Sequence, residues 1–476
     1  MVNRSRIVAL WCAAAACAGV LALSGCQRKG IEELVSSELF SLSMGKLEDQ
    51  VDLFQFESAM VERPTTIAMR DGWFYVANAS ASKVMVFSSY GDLIFLLYNP
   101  QTNPAPTILG PAEPNAPDAT PAVTSSAAGQ AASAGQAPAS GPATAAQAAS
   151  AGQAASAGQP GSAGQSASAV PAGRGAAGDR SSNVVSTRGY VAYPFQDIGH
   201  VAVASDRTLY VEDAVPEAKA VRDADRGVTR SRAILRFDRK GRALAPVGEE
   251  GVGGSPFPFV TALYVTSADQ LVVVCRLPKS WEVFWYSPDG TPKYQVEISS
   301  DNLPAKPEKG ITPVLVNVLP DLQSPILYLA INSYREAQDT RSGTAPSDAV
   351  TSRVYRLDLR SQQYLPGWVE LPQNPPRRTK LGLKTVEIPS PPSDLLGVST
   401  AGYFYLLAYA DTNLYTLQIV DPRGRVRAQR RVVIEDSELS FRDIHLSASG
   451  IIYGLLADKS RARVSWWRSD LLLKGE

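Results

Sequence analysis

The chain has 476 residues, of which 46 are basic and 46 acidic, so its formal net charge is zero. This balance gives no electrostatic reason to expect a nucleic acid as partner. Hydrophobic residues make up 45% of the chain, enough for a large core, and the length fits two or three ordinary domains or one large repeat fold. No aromatic residue lies between Tyr98 and Tyr190, so this stretch is not expected to form core.

Residues 1–25 have the composition of a secretory signal peptide. Arg4 and Arg6 precede an apolar run from Ile7 to Leu23. The ending Leu-Ser-Gly-Cys26 resembles the lipobox of bacterial lipoproteins, in which the cysteine is lipidated and becomes the first residue. An uncleaved membrane helix is the alternative, but about 17 apolar residues are marginal for crossing a bilayer. The resemblance therefore implies a lipid anchor on Cys26, with membrane attachment in the periplasm or at the cell surface.

A chain that begins at Cys26 retains only one other cysteine, Cys275, so we expect no internal disulfide. Cys275 ends the run Leu-Val-Val-Val-Cys, which predicts a buried strand. No later segment is apolar over a comparable length, so the protein is expected to be anchored rather than membrane-spanning. Residues 26–37 would be a tether.

Residues 38–98 predict a closing strand followed by a four-stranded unit. Short apolar runs alternate with polar turns, as expected for hairpins. The four runs are Thr66–Met69, Trp73–Val76, Lys83–Phe87 and Leu93–Leu96.

Residues 99–187 are an Ala/Gly/Ser/Gln/Pro-rich insertion in which the pattern Ser-Ala-Gly-Gln-Ala-Ala recurs. Such a composition buries too little apolar area to offset the entropy of ordering, so a disordered segment is expected. It lacks the strict glycine or apolar period that a collagen or β-solenoid requires.

Residues 188–476 repeat the four-stranded pattern five more times, the later copies less regularly. Gly241 and Gly290 are spaced as equivalent turns of successive propeller blades are. Helical periodicity is nearly absent after residue 45. A β-sandwich stays open as an alternative but does not explain six similar units. The sequence therefore predicts an all-β protein, a six-bladed β-propeller.

The sixth unit supplies only three strands before the chain nearly ends, the third being Arg463–Trp467. Upstream, Glu38–Gly45 has the pattern of an outer strand. A closed propeller has no exposed sheet edges between its blades, so we expect this N-terminal strand to complete the last blade. Residues near 40 should then contact residues near 466.

The first unit resembles an NHL repeat. It has the entry proline Pro64, the second strand Tyr75-Val76-Ala77-Asn78 and a turn ending in Gly91, with Asn78 where the repeat usually has aspartate. The whole chain resembles a family of spirochaetal lipoproteins with an NHL-type propeller, over residues 26–98 and 188–476. Most members of that family lack an assigned activity, so the resemblance implies the fold rather than a reaction.

The long connections are all predicted to emerge on one face of the propeller, because they join second to third strands or one blade to the next. Loops on a rigid scaffold often carry function, although neutral insertion at tolerant sites is the alternative. The candidate residues on this face are Asp223, Asp225, Tyr334, Arg335, Arg377, Arg378 and Lys380.

A second set of candidates lies where the innermost strands begin, at the mouth of the central channel. These residues are Asp197, His200, Asp394, Asp443 and His445. An Asp/His ring can coordinate a metal, but polar groups that satisfy the inner strands are the favoured explanation. The sequence contains no phosphate-binding glycine loop and no His-Glu-x-x-His, and we expect neither metal nor cofactor.

These observations favour a lipid-anchored, non-enzymatic binding or scaffold protein, monomeric, with an envelope or extracellular protein as partner. Two alternatives stay open. One is an envelope enzyme that cleaves a glycan or peptide with carboxylates at the channel mouth. The other is a surface adhesin that binds host matrix.

Overall fold

The computed structural model describes residues 31–53, 65–111, 188–248, 255–335, 349–381, 384–388 and 390–474. They all belong to one structural unit, which spans residues 1–113 and 186–476. The predicted signal peptide, Cys26 and residues 112–187 of the predicted insertion lie outside the described residues. Within these ranges the fold is all-β, with three short 3-10 helices at Glu217–Lys219, Ser300–Asn302 and Ser469–Leu473.

The strands form six four- or five-stranded sheets, the blades, which are antiparallel except for one parallel edge strand in the first blade. Strand β1 (Ser37–Ser43) precedes them in the chain. The first blade contains β2 (Thr66–Arg70), β3 (Trp73–Asn78), β4 (Lys83–Phe87), β5 (Leu93–Tyr98) and β6 (Gly189–Ala192). The second contains β7 (Val201–Val203), β8 (Leu209–Ala214), β11 (Arg232–Phe237) and β12 (Ala243–Val247), with a separate hairpin of β9 (Val221–Asp223) and β10 (Val228–Arg230) between β8 and β11. The third contains β13 (Phe259–Val265), β14 (Leu271–Arg276), β15 (Ser280–Tyr286) and β16 (Pro292–Ser299).

The remaining three blades have the same order. The fourth contains β17 (Ile311–Pro320), β18 (Ile326–Arg335), β19 (Ala349–Asp358), β20 (Gln363–Tyr364) and β21 (Val369–Glu370). A hairpin of β22 (Arg377–Leu381) and β23 (Lys384–Ile388) leads to the fifth, which contains β24 (Asp394–Val398), β25 (Phe404–Asp411), β26 (Leu414–Val420) and β27 (Val426–Val433). The sixth contains β28 (Phe441–Leu446), β29 (Ile452–Ala457), β30 (Arg461–Trp467) and β1.

The middle strands are apolar on both faces because each blade is covered by a blade on either side. All six residues of β29 and the first five of β14 are buried. Among the described residues, buried apolar side chains form six clusters, and each one joins two consecutive blades. One of them packs Phe74 of the first blade with Leu455 of the sixth, so the ring is closed.

Polar bonds between inner strands add to these apolar junctions. The Ile67 backbone N–H donates to Asp443 Oδ2 at 3.0 Å, across 376 residues of sequence. The Thr66 hydroxyl donates to the Gly199 carbonyl oxygen at 3.2 Å. These two bonds fix the innermost strand of the first blade relative to the second and sixth blades.

The N-terminal strand closes the ring, as the sequence predicts. Strand β1 is antiparallel to β30, with Ser37 opposite Trp466 and Ser43 opposite Arg461. The ring of Phe40 lies 5.8 Å from that of Phe74 and 5.3 Å from that of Phe87, so β1 is anchored in the core between the sixth and first blades.

Gly91 permits this anchoring. It has a φ of +85°, and a Cβ built on it would lie 2.6 Å from the Cβ of Phe40. Only glycine combines this backbone conformation with so close an approach.

The described residues on both sides of 112–187 lie on the first blade. Residues 99–111 of the predicted insertion are among them, and the Asn99 N–H donates to the Ser82 carbonyl oxygen at 3.0 Å. Glu48, which is 7% exposed, accepts the Thr107 backbone N–H at 2.8 Å and the Thr107 hydroxyl at 3.1 Å. Residues Gly189–Ala192 form β6, which pairs in parallel with β5 and makes a fifth strand that the sequence pattern does not predict. The insertion therefore leaves and re-enters the same outer edge of the propeller.

No helix in the described part of the chain is long and apolar enough to cross a bilayer. The apolar run Ile7–Leu23 lies outside the described residues.

Candidate functional site

The loops that join second to third strands, and one blade to the next, emerge at the same end of every blade because the strands are antiparallel. We call this end the long-loop face. It carries the β9–β10 hairpin, the 3-10 helix Ser300–Asn302 and the β22–β23 hairpin. Strands β18 and β19 are ten residues each, compared with six and five for the second and third strands of the first blade.

The β9–β10 hairpin is clamped onto the third blade by ion pairs. Arg230 Nη2 lies 3.0 Å from both carboxylate oxygens of Glu282, at the start of β15. Arg226 Nη2 lies 2.7 Å from Glu297 Oε2, in β16. Asp223 lies between the two arginines, 3.3 Å from Arg226 and 3.4 Å from Arg230. These ion pairs hold the β9–β10 hairpin of the second blade in a fixed position against the third blade.

The ion pair between Arg230 and Glu282 is largely buried. The Glu282 side chain is 1% exposed and that of Arg230 12%, so neither charge is solvated without the other. A hydrogen bond from the Ser280 hydroxyl, and then Arg226, hold the pKa of Glu297 below its usual value. Cys275, a buried free thiol on the neighbouring strand, has its pKa raised by burial and then by the Glu282 carboxylate.

A second polar cluster lies where the second blade begins. His200 donates its backbone N–H to Glu212 Oε2 at 2.9 Å, and its ring Nδ1 lies 2.7 Å from the same oxygen. Arg232 lies 2.9 Å from Asp197 Oδ2 and 3.3 Å from Glu212 Oε1. Two channel-mouth candidates, Asp197 and His200, are therefore joined through Glu212 and Arg232.

Asp213, next to Glu212, is 3% exposed and accepts two backbone N–H groups, from Gln196 at 3.0 Å and from Asp197 at 2.6 Å. Burial raises its pKa to about 6, although these hydrogen bonds act in the opposite direction. These backbone N–H groups belong to the loop that precedes β7, and their hydrogen bonds satisfy the buried Asp213 carboxylate.

The other channel-mouth candidates belong to the fifth and sixth blades. His445 Nε2 lies 2.8 Å from Asp443 Oδ2, the oxygen that also accepts the Ile67 N–H. Burial acts to lower the pKa of His445. The charge of the Asp443 carboxylate and its hydrogen bond together have the larger effect, so the pKa of His445 is raised. Asp394 begins β24 and is exposed, but partial desolvation raises the pKa of its carboxyl, while Arg442 acts to lower it.

Four of the five candidates thus form two separate pairs, Asp197 with His200 and Asp443 with His445. The described part of the chain contains no group of three His, Cys, Asp or Glu side chains that could hold a metal ion.

A polar cleft of about 400 Å³ opens on the long-loop face between the first and second blades. Its lining is hydroxyl and amide groups with one buried aromatic ring: Ser80, Ser82, Asn99, Gln101, Thr102, Phe195 and Gln196. The buried Ser80 hydroxyl has no hydrogen-bond partner among the described residues. Such a lining can bind an uncharged polar ligand.

The binding-face candidates occupy three loops of this face. Asp223 is part of the clamp, whereas Asp225 is exposed at the tip of the same hairpin. Tyr334 accepts a hydrogen bond from the Asn332 amide at 3.2 Å, and Arg335 is exposed at the end of β18. Arg377, Arg378 and Lys380 lie in β22, whose side chains are outside the described residues.

Sequence reasoning missed the partners that hold these loops, namely Glu212, Asp213, Arg232 and Glu282. Their signal is a charged residue inside or directly after an apolar strand, as in Leu-Tyr-Val-Glu-Asp at 209–213. A charge at such a position has to be paired when the strand is buried.

No protein-family model and no curated protein matches the chain. Among solved structures, a periplasmic gluconolactonase of Pseudomonas aeruginosa is 18% identical, with 55% of this chain and 66% of that chain covered and a TM-score of 0.30. A gluconolactonase of Xanthomonas campestris is 12% identical, with coverage of 57% and 72% and a TM-score of 0.28. Hydrazine synthase of Kuenenia stuttgartiensis is 10% identical, with coverage of 84% and 95% and a TM-score of 0.33. At these identities and TM-scores the likenesses carry no argument about fold, activity or substrate.

Proposed function

We propose that this protein is a lipid-anchored β-propeller of the cell envelope that binds a partner through its long-loop face without catalysing a reaction. The observation that carries the proposal is the clamped β9–β10 hairpin. A neutral insertion needs no fixed geometry, yet this one uses Arg226 and Arg230 to reach Glu297 and Glu282 on another blade. A loop held in one conformation binds without the entropic cost of ordering on association.

The anchor is supported by the Leu-Ser-Gly-Cys26 ending and by the short distance along the chain from Cys26 to the propeller. Ile31 lies five residues after Cys26, and residues 31–34 already run along the outside of the propeller. The resemblance of the first blade to an NHL repeat fits the same assignment, since the spirochaetal family that it resembles combines this repeat with a lipoprotein signal.

The channel mouth supports binding rather than turnover. Asp443 holds the Ile67 backbone and His445, and Asp197 is paired with Arg232. A general acid or base has to reach the proton that it transfers, and these carboxylates face the protein's own groups.

One observation favours a second candidate function, an envelope enzyme. Asp213 has a pKa raised to about 6 by burial, and it binds the backbone of Gln196, which lines the polar cleft. Perturbed carboxylates beside clefts are enriched at active sites. Asp213→Asn would abolish turnover of a glycan or peptide by such an enzyme, whereas a binding protein would keep its partner.

The test of the binding face compares two surface variants of the full lipoprotein. Arg222→Glu with Asp225→Arg reverses two exposed charges on the hairpin and leaves the clamp intact. Arg239→Glu with Lys240→Glu reverses exposed charges at a short turn at the other end of the same blade. Each protein is crosslinked in intact cells and purified, and its partners are identified by mass spectrometry.

We expect a partner that is recovered with the wild type and with the short-turn variant but lost with the hairpin variant. Identical partners for all three proteins would refute binding through this face. Matching thermal midpoints of the three proteins ensure that a lost partner does not reflect unfolding.

A further inference from the structure

The outer strand of the fifth blade is unusually rich in arginine. Four arginines of β27 and the turn before it are exposed, Arg423, Arg425, Arg427 and Arg431, and Arg430 pairs with Glu32 at 3.1 Å. Asp421 is the acid of this turn, and its Oδ1 accepts the backbone N–H groups of Arg423 and Arg425, each at 2.9 Å. Five arginines against the three acids Asp421, Glu32 and Glu33 give this rim a local positive charge on a chain that is neutral overall.

Apolar side chains lie among the arginines. Val426 is 44% exposed and Val433 41%, one at each end of β27. Exposed arginines interleaved with exposed valines suit a surface that is anionic outside and apolar beneath.

The start of the described chain lies against this same strand. The Leu34 N–H donates to the Arg431 carbonyl oxygen at 2.7 Å, and the Arg431 N–H donates to the Glu32 carbonyl oxygen at 2.9 Å. Ile31 is five residues from Cys26, a separation that an extended chain spans with at most ~18 Å. A lipid on Cys26 would therefore keep the outer rim of the fifth blade close to the bilayer.

We propose that β27 and the turn before it form a surface that lies against anionic phospholipid headgroups and sets the orientation of the propeller on the membrane. This inference rests on the lipid anchor of the proposed function. Guanidinium groups bind phosphate oxygens with paired hydrogen bonds, and each basic residue near an anionic bilayer strengthens attachment about fivefold.

The orientation has a consequence for the binding face. The six apolar clusters order the blades in a ring in which the second blade is opposite the fifth. With the fifth blade on the membrane, the β9–β10 hairpin is presented on the side furthest from the lipid.

The experiment uses the full lipoprotein reconstituted into vesicles of phosphatidylcholine, alone or with phosphatidylglycerol. Exposed arginines are labelled with phenylglyoxal, and labelling at each position is measured by mass spectrometry. Arg239, in the corresponding turn of the second blade, is the internal control. Flotation with the vesicles reports the anchor independently of the rim.

We expect labelling of Arg423 and Arg425 to fall several-fold on vesicles with phosphatidylglycerol, while Arg239 is unchanged. The protection should disappear near 1 M salt, where the screening length is about 3 Å. The variant Arg423→Glu with Arg425→Glu should float but lose protection at Arg431, whereas Arg239→Glu with Lys240→Glu should retain it.

Flotation without protection of Arg423 and Arg425 would overturn the rim proposal and leave the anchor standing. Equal protection on neutral vesicles would also overturn it, since the tether alone would then account for proximity. Protection seen only in native membranes would overturn it in favour of an acidic protein. A protein that fails to float would refute the lipid anchor. Labelling of the wild type tests the rim proposal by itself, even if the variant Arg423→Glu with Arg425→Glu does not fold.

Discussion

Lys83 is a charged residue enclosed by the first blade. Its side chain starts β4 and is 0% exposed. The ammonium group donates to the carbonyl oxygen of Lys46 at 3.2 Å and also to that of Leu47. It therefore holds residues 46–47, which come after the closing strand, against the end of the blade.

Burial lowers the pKa of Lys83 from 10.5 to about 8, although Asp49, Asp52 and Glu48 act to raise it. At 1.36 kcal/mol per pKa unit, this shift corresponds to about 3 kcal/mol of free energy of unfolding. Because the pKa in the folded state is the lower one, the unfolded chain binds the proton more strongly between pH 8 and 10.5. The penalty for burying the charge is complete below pH 8, and it disappears as the pH rises through this window.

Lys83→Met has a similar shape and does not titrate. We expect the free energy of unfolding of the wild type to rise relative to this variant by about 3 kcal/mol between pH 8 and 10.5. Urea unfolding followed by tryptophan fluorescence measures both proteins at each pH. Nearby tyrosines such as Tyr75, whose pKa burial raises to about 12, are present in both proteins and cancel in the difference.

Parallel curves for the two proteins across this range would refute the reasoning, because they would mean that Lys83 titrates alike in the folded and unfolded chains. Lys83→Arg is a further control, since its charge persists at every pH used. It should show no rise relative to Lys83→Met.

Three other buried side chains give further tests. Phe40→Ala should lower the free energy of unfolding by about 3–5 kcal/mol in urea titrations. Ser41→Ala, at an exposed position of the same strand, should change it little. Equal effects of the two substitutions would contradict the role of β1 in closing the ring. Arg230→Met should destabilise by about 3 kcal/mol, because buried Glu282 then keeps only its longer contact with Arg226, at 3.6 Å. Adding Glu282→Met should recover most of the loss, and additive effects in this double-mutant cycle would contradict the clamp. Burial raises the pKa of Asp213 from 3.8 to about 6. As the pH rises through that window, the free energy of unfolding of the wild type should therefore fall by about 3 kcal/mol relative to that of Asp213→Asn. A difference between the two proteins that does not change with pH would contradict the raised pKa.

The repeating strands were predictable because each blade repeats the same local pattern of apolar runs and polar turns. The closing strand was predictable for a different reason, since the sixth unit lacked a fourth strand and Glu38–Gly45 had the right pattern. Its pairing with β30 confirms that reasoning. Both inferences depend on short-range pattern combined with the requirement that a ring has no free edge.

The candidate site was harder to predict because its contacts join distant segments. Asp443 and His445 are two residues apart on one strand, so they face the same side and their contact follows from the sequence. The pairing of Arg230 with Glu282 depends on how two blades meet, and no local pattern encodes it. The parallel pairing of β6 with β5 depends on where the chain re-enters the blade after the insertion.

The closing strand also imposes an order in time on the molecule. Residues 37–43 are made about 420 residues before their partner strand, 461–467. Until then the first and sixth blades cannot meet, and Phe40 and Leu42 lack the core that buries them. A nascent chain with an open ring presents unpaired strand edges and apolar surface, which makes it prone to aggregation. Completion of the propeller therefore waits for the sixth blade, and the interval before closure is when aggregation competes most strongly with folding.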